Sequence, residues 1–130
     1  PDKFLITDIK VRLLYEQSGD LSEDITDNPD FVISNTLIGE GSAKENAEDI
    51  LISVQINGPG QKFIDVPLTI SVRGKGNRLV AQRVLPEFLA ETTTIRSLVL
   101  PRAACLGLVK IEARLGGQSL TEEINLKCSY

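Results

Sequence analysis

The C-terminal stretch constrains the fold most, because it alternates on two faces around a single turn. Val109 to Leu115 and Gln118 to Cys128 flank Gly116-Gly117, a two-residue turn of the kind that accepts positive φ at both central positions. With Leu115 facing Gln118, paired positions sum to 233, and Cys105 falls opposite Cys128. Lys110 then faces Glu123 on the outer side, while Val109 meets Ile124 and Ala113 meets Leu120 on the inner side, as favourable cross-strand pairs require. Two features strain this register. The cysteines fall at a hydrogen-bonded pair, where Cβ atoms stand wide for a disulfide, and Ile111 falls opposite Glu122. A bulge between the turn and the cysteines would relieve both.

Cys105 and Cys128 are the chain's two cysteines, and the pairing argues for a structural disulfide and an oxidising compartment. Closing such a loop stabilises a small domain by roughly 3 kcal/mol in chain-entropy models. Two reduced cysteines in a cytosolic protein are the alternative. With 130 residues the chain makes one domain, residues 1–130, able to bury a core without a metal staple. No apolar run approaches the roughly 18 to 20 residues that cross a bilayer, so no membrane insertion is expected. No signal peptide stands near Pro1, and the absence of an initiator methionine suits a mature form after signal cleavage, or a trimmed fragment.

Histidine is absent, which removes Ser-His-Asp and Cys-His nucleophile activation, imidazole bases and His-ligated metals. The net charge of -4 argues against nucleic acid as a partner, since such binders present a basic face. Gly74-Lys75-Gly76-Asn77 lies between two alternating runs and reads as a hairpin turn, without the strand-to-helix context of a phosphate loop.

Period-two alternation dominates the rest, and no stretch sustains a helical period. A first strand, Phe4 to Tyr15, carries Ile9, Val11, Leu13 and Tyr15 on one face, with Phe4 and Ile6 out of phase; a bulge near Thr7-Asp8 resolves this. Phe31 to Ile38 reads as a second strand, followed by a polar loop in which Ala43 to Glu48 suits one helical turn. Ile50 to Ile56 alternates strongly and stops at Asn57-Gly58-Pro59-Gly60. Phe63 to Arg73 contains Pro67, which places it at an edge or in a bulge. Arg78 to Leu85, a loop from Glu87 to Thr93 and Ile95 to Leu100 precede the final hairpin. The expected architecture is all-β: an antiparallel two-sheet sandwich of about eight strands.

This strand pattern resembles immunoglobulin-like and fibronectin type III-like sandwiches over the whole chain, without the strand-C tryptophan and with cysteines too close in sequence to bridge two sheets as in immunoglobulin domains. Ser22-Glu23-Asp24-Ile25, Asn28-Pro29-Asp30-Phe31, the Gly39-Glu40-Gly41 turn and a cysteine near the C-terminus are similar to uncharacterised secreted bacterial domains. The resemblance implies a secreted or periplasmic sandwich without catalytic activity.

Charge divides along the chain. Residues 1–49 hold twelve acids against four bases, and residues 50–130 hold six against ten. The leading expectation is a non-catalytic module, monomeric or weakly oligomeric, that presents loops or an edge strand to an unknown protein partner. Arg73, Lys75, Arg78 and Arg83 form a basic patch for an acidic partner, the Pro67 strand offers an edge, and Phe88-Leu89 offers an anchor or a plug for one end of the sandwich. A calcium-binding module is the alternative: the segment 16–30 is acidic, and Asp24, Asp27 and Asp30, helped by Asp20 and Glu23, are oxygen ligands of the type calcium takes, although their spacing is not that of an EF-hand. The competing account of that loop is solvated surface with Asx turns before Pro29. A carboxylate hydrolase built on Glu40, Glu48 and Asp49 ranks last, with no aromatic platform for a sugar. No cofactor other than calcium is expected.

Overall fold

A computed structural model describes residues 4–26, 32–33, 47–103 and 105–128. It is all-β. Among the described residues the strands are β1 (Leu5–Leu14), β2 (Val32–Ile33), β3 (Asp49–Asn57), β4 (Lys62–Ile64), β5 (Leu68–Arg73), β6 (Leu79–Leu85), β7 (Phe88–Ala90), β8 (Thr93–Leu100), β9 (Gly107–Leu115) and β10 (Gln118–Cys128). They form a three-stranded sheet of order β1-β3-β8, a five-stranded sheet of order β2-β10-β9-β5-β6, and a β4-β7 ribbon. The antiparallel pairing expected from the sequence holds throughout except between β2 and β10, which run parallel with Lys127 beside Val32. Among the described residues no helix is long and apolar enough to cross a membrane.

Alternation on β1 and β3 builds one inner layer. Ile9, Val11 and Leu13 stand opposite Val54, Ile52 and Ile50, and all six are buried. The register shifts between Ile6 and Asp8, where the out-of-phase Phe4 and Ile6 require a bulge. Leu68, Ile70 and Val72 of β5 and Val109, Ile111, Ala113 and Leu115 of β9 supply the facing layer. These side chains belong to one continuous buried cluster, as when two sheets each cover the other's apolar face.

The last hairpin runs without interruption from Leu115 opposite Gln118 to Gly107 opposite Leu126. The bulge expected within it is absent. Glu122 stays opposite buried Ile111 but is only half-buried, as β10 has no described partner strand on its other side over this stretch. The turn also differs from expectation: Gly116 alone has positive φ (59°), the pattern of a II′ turn, in which only the first central residue is left-handed.

Among the described residues ten strands stand where eight were expected, because Pro67 divides the Phe63 to Arg73 run and the expected loop holds a further strand, β7. Proline donates no ladder hydrogen bond, so β4 ends at Ile64 and β5 starts at Leu68. Freed from the large sheet, β4 pairs with β7, part of the expected loop, matching Ile64 to Phe88 and Phe63 to Leu89. The expected edge or bulge near Pro67 is a break in the ladder there, while β5, which follows it, is internal, between β9 and β6, and offers no edge. Most of the expected Phe31 to Ile38 strand and Ala43 to Glu48 turn falls outside the described residues.

Gly58 follows the end of β3 and packs against the Phe4 ring, where an added Cβ would overlap the ring atoms. Gly58→Ala should therefore destabilise the fold by about 1 to 3 kcal/mol through overpacking, and Phe4→Leu in the same chain should recover part of the loss. Urea unfolding of the single and double variants reads both effects.

Candidate functional site

The β5–β6 hairpin turns through a 3-10 segment, Lys75–Asn77, in which Gly76 (φ 70°) and Asn77 (φ 60°) are left-handed. Glycine and asparagine are the residues that tolerate this conformation. Arg73 Nη1 donates to Asn77 O at 3.2 Å, and Lys75 and Arg78 extend into solvent. The pairing of β5 with β9 sets Arg73 directly opposite Lys110, at a cleft of about 180 Å³ lined by Ser71, Arg73, Asn77, Lys110 and Glu112. Like charges directly opposite on one face destabilise a sheet. Glu123, opposite Lys110 on its other side, and Glu112 in the cleft wall moderate the repulsion, yet neither Arg73 nor Lys110 makes an ion pair among the described residues. The sequence places Lys110 on an outer face, but only the β5–β9 pairing, which no local signal announces, brings it to Arg73.

Arg83 does not belong to this surface, which corrects the expected patch. It stands opposite buried Ile70, so it faces inward from the edge strand β6, and its Nη1 donates to Ser97 O on β8. Arg96 makes a similar arrangement from β8. It stands opposite buried Val54, lies 5.7 Å from the Phe88 ring centroid, and donates to Leu89 O and Ile95 O at 3.0 Å each. Two guanidinium groups thus occupy carbonyls along the outer edge of β8, and inward-pointing charge of this kind disfavours pairing with another chain. Phe88 is buried and closes the core, while Leu89 on the other face of the ribbon is exposed beside Phe63.

The acidic segment is partly structural. After a tight turn, in which Tyr15 N donates to Asp20 O, residues 21–25 run alongside the free edge of β1. Ser22 N and Ile25 N donate to Leu13 O and Val11 O; in return Ser22 Oγ accepts from Leu13 N at 2.9 Å and Asp24 Oδ1 from Val11 N at 3.0 Å. Side-chain oxygens complete a ladder that the backbone alone would leave open. Asp24 also accepts from Thr26 N at 3.1 Å and Thr26 Oγ1 at 2.9 Å, so its carboxylate is directed at the protein. Asp20 and Glu23 are exposed, and Asp27 and Asp30 lie outside the described residues. Among the described residues no group of three or more acids or cysteines is gathered as a metal centre would require. Of the carboxylates considered for hydrolysis, Glu40 lies outside the described residues, Glu48 is exposed, and Asp49 Oδ1 accepts from Arg102 N at 3.1 Å.

Cys105 has left-handed backbone (φ 68°), two residues before β9 begins at Gly107, and β10 continues to Cys128. Among the described residues no cysteine is a free thiol.

A cavity of about 440 Å³ opens at the Gly116-Gly117 turn, between the start of β1 and the Ile64 to Val66 segment. Phe4, Leu5, Ile64, Val66 and Leu115 form its apolar wall, Lys62 is its charged member, and Gly116, Gly117 and Gln118 complete it. The Gln118 amide holds this end together, accepting from Ile6 N at 2.9 Å and donating to Phe4 O at 2.7 Å, as a neighbouring strand would. The sequence gives no warning of it, because its wall is assembled from three separated segments.

The chain matches no protein-family model, and no curated protein is significantly similar to it.

Asp24→Ala leaves Val11 N and Thr26 N without their acceptor and should cost about 1.5 to 3 kcal/mol, the range for hydrogen bonds to a charged group. The expected result in thermal or urea unfolding is the same loss in millimolar calcium as in a chelator.

Proposed function

We propose that the chain is a non-catalytic sandwich module of a secreted or periplasmic protein, and that it binds an acidic protein partner through the Arg73, Lys75, Arg78 and Lys110 surface. The observation that carries this reading is the direct opposition of Arg73 and Lys110 on an exposed face with no ion pair to either among the described residues. A partner carboxylate in the cleft between them would remove the repulsion and gain charge-assisted hydrogen bonds. Neighbouring Lys75 and Arg78 enlarge the field that steers such a partner. The bipolar charge of the chain points the same way, with the bases concentrated after residue 49.

The compartment rests on the proposed Cys105–Cys128 disulfide. Its support is the unbroken β9–β10 register, which extended by two pairs sets the cysteines opposite each other, and the absence of a free thiol among the described residues. Alkylation of the denatured native protein should leave both cysteines unmodified, and prior reduction should expose two sites and lower the unfolding free energy by roughly 3 kcal/mol. Two alkylated cysteines without reduction would contradict the oxidising assignment.

The interaction is tested by charge reversal. Affinity capture from the native extracellular or periplasmic fraction, with wild-type and Arg73→Glu/Lys110→Glu protein as baits, should retain an acidic protein on the wild type alone. Retention should weaken as salt rises from 0.05 to 0.5 M, because screening shortens the range of surface charge. Equal capture by both baits would place the interface elsewhere.

A further inference from the structure

The cavity at the Gly116-Gly117 turn shares no wall residue with the Arg73 cleft and has a different chemistry. Its volume of about 440 Å³ lies in the range of small-molecule pockets, about 300 to 1,000 Å³. Three observations specify an occupant. First, the wall is mainly aliphatic and aromatic, and two of its side chains, Leu5 and Val66, remain 51% and 41% exposed, so apolar surface there stays in contact with water. Second, no side chain fills the space at the turn: a Cβ added at Gly116 or Gly117 would meet no atom within 4 Å, and the Gln118 amide is engaged by Phe4 O and Ile6 N. Third, Lys62 is the one charged side chain that the described residues give the wall; it is exposed and has no carboxylate partner among them.

An apolar wall with a single ammonium group suits a molecule with an aliphatic body and one negative charge. We propose that this cavity binds the alkyl chain of a free aliphatic carboxylate, with Lys62 receiving its carboxylate. Covering Leu5 and Val66 supplies the apolar part of the affinity, and Lys62 selects the sign of the head group. A neutral or cationic head loses that selection.

Titration of the 15N-labelled protein with hexanoate, octanoate and decanoate, all below micelle formation, tests this directly. Saturable shifts are expected at the amides of residues 62–66 and 115–118, with affinity rising by up to about fourfold for each methylene that is buried. Lys62→Gln should weaken octanoate about threefold, as for an exposed charge pair, and leave 1-octanol unchanged. Val66→Trp should fill the opening and abolish binding; because residue 66 is exposed, the remaining spectrum should stay that of the wild type. Shifts that do not saturate, shifts confined to the Arg73 cleft, or unchanged affinity in Val66→Trp would overturn the site. Unchanged octanoate affinity in Lys62→Gln would overturn the carboxylate assignment.

Discussion

The register of the β9–β10 hairpin is the constraint on which the rest depends. Side chains alternate with period two, so a slip of one residue would turn Val109, Ile111, Ala113 and Leu115 to solvent and bring Lys110, Glu112 and Arg114 into the core. The same register places Gln118 at the head of β10, where its amide reaches the backbone of β1 and joins the two larger sheets at that end. It also fixes Lys110 on the outer face, where pairing with β5 sets it against Arg73. The end cavity follows from this pairing, and the basic cleft from it together with the pairing of β9 with β5.

A second theme is how the open edges are finished. Additional strands would be the direct solution, but side chains are used instead. On β1, Ser22 and Asp24 accept from backbone N–H groups, and on β8, Arg83 and Arg96 occupy backbone carbonyls. Arg83, Arg96 and Glu122 all sit at inward-facing positions near an open side, where a charged group can still reach water or a backbone oxygen. Such edges resist pairing with another chain. On the proposed reading, with a partner met through a face, this favours side-chain chemistry over strand addition.

Much of the fold was readable in the sequence where burial on one face enforced alternation. β1 with its bulge, β3, the Gly74 to Asn77 turn and the register of the last hairpin follow from residue pattern alone. The ribbon was not readable, because Phe63 and Leu89 are apolar yet exposed, and in sequence they look like core residues of a long strand and a loop. Ile111 opposite Glu122 needs no bulge, because Glu122 is only half-buried. Arg83 lies close to the hairpin cations in sequence, but its position opposite Ile70 puts it on the other face of the sheet. Asp24 shows the limit of reading charge without contacts: one carboxylate in an acidic run is a backbone acceptor, and no feature of the run distinguishes it. Both cavities depend on segments far apart in sequence, and nothing local anticipates them.

The most direct test of this account is the set of Hα–Hα nuclear Overhauser effects across the last hairpin. In the register described here the closely spaced, non-hydrogen-bonded pairs are Arg114 with Ser119, Glu112 with Thr121, Lys110 with Glu123 and Leu108 with Asn125. Strong cross-peaks at those four pairs are the predicted result. Cross-peaks displaced by one residue on either strand would contradict it, and with it the placement of Gln118, Lys110 and the cavity at the turn.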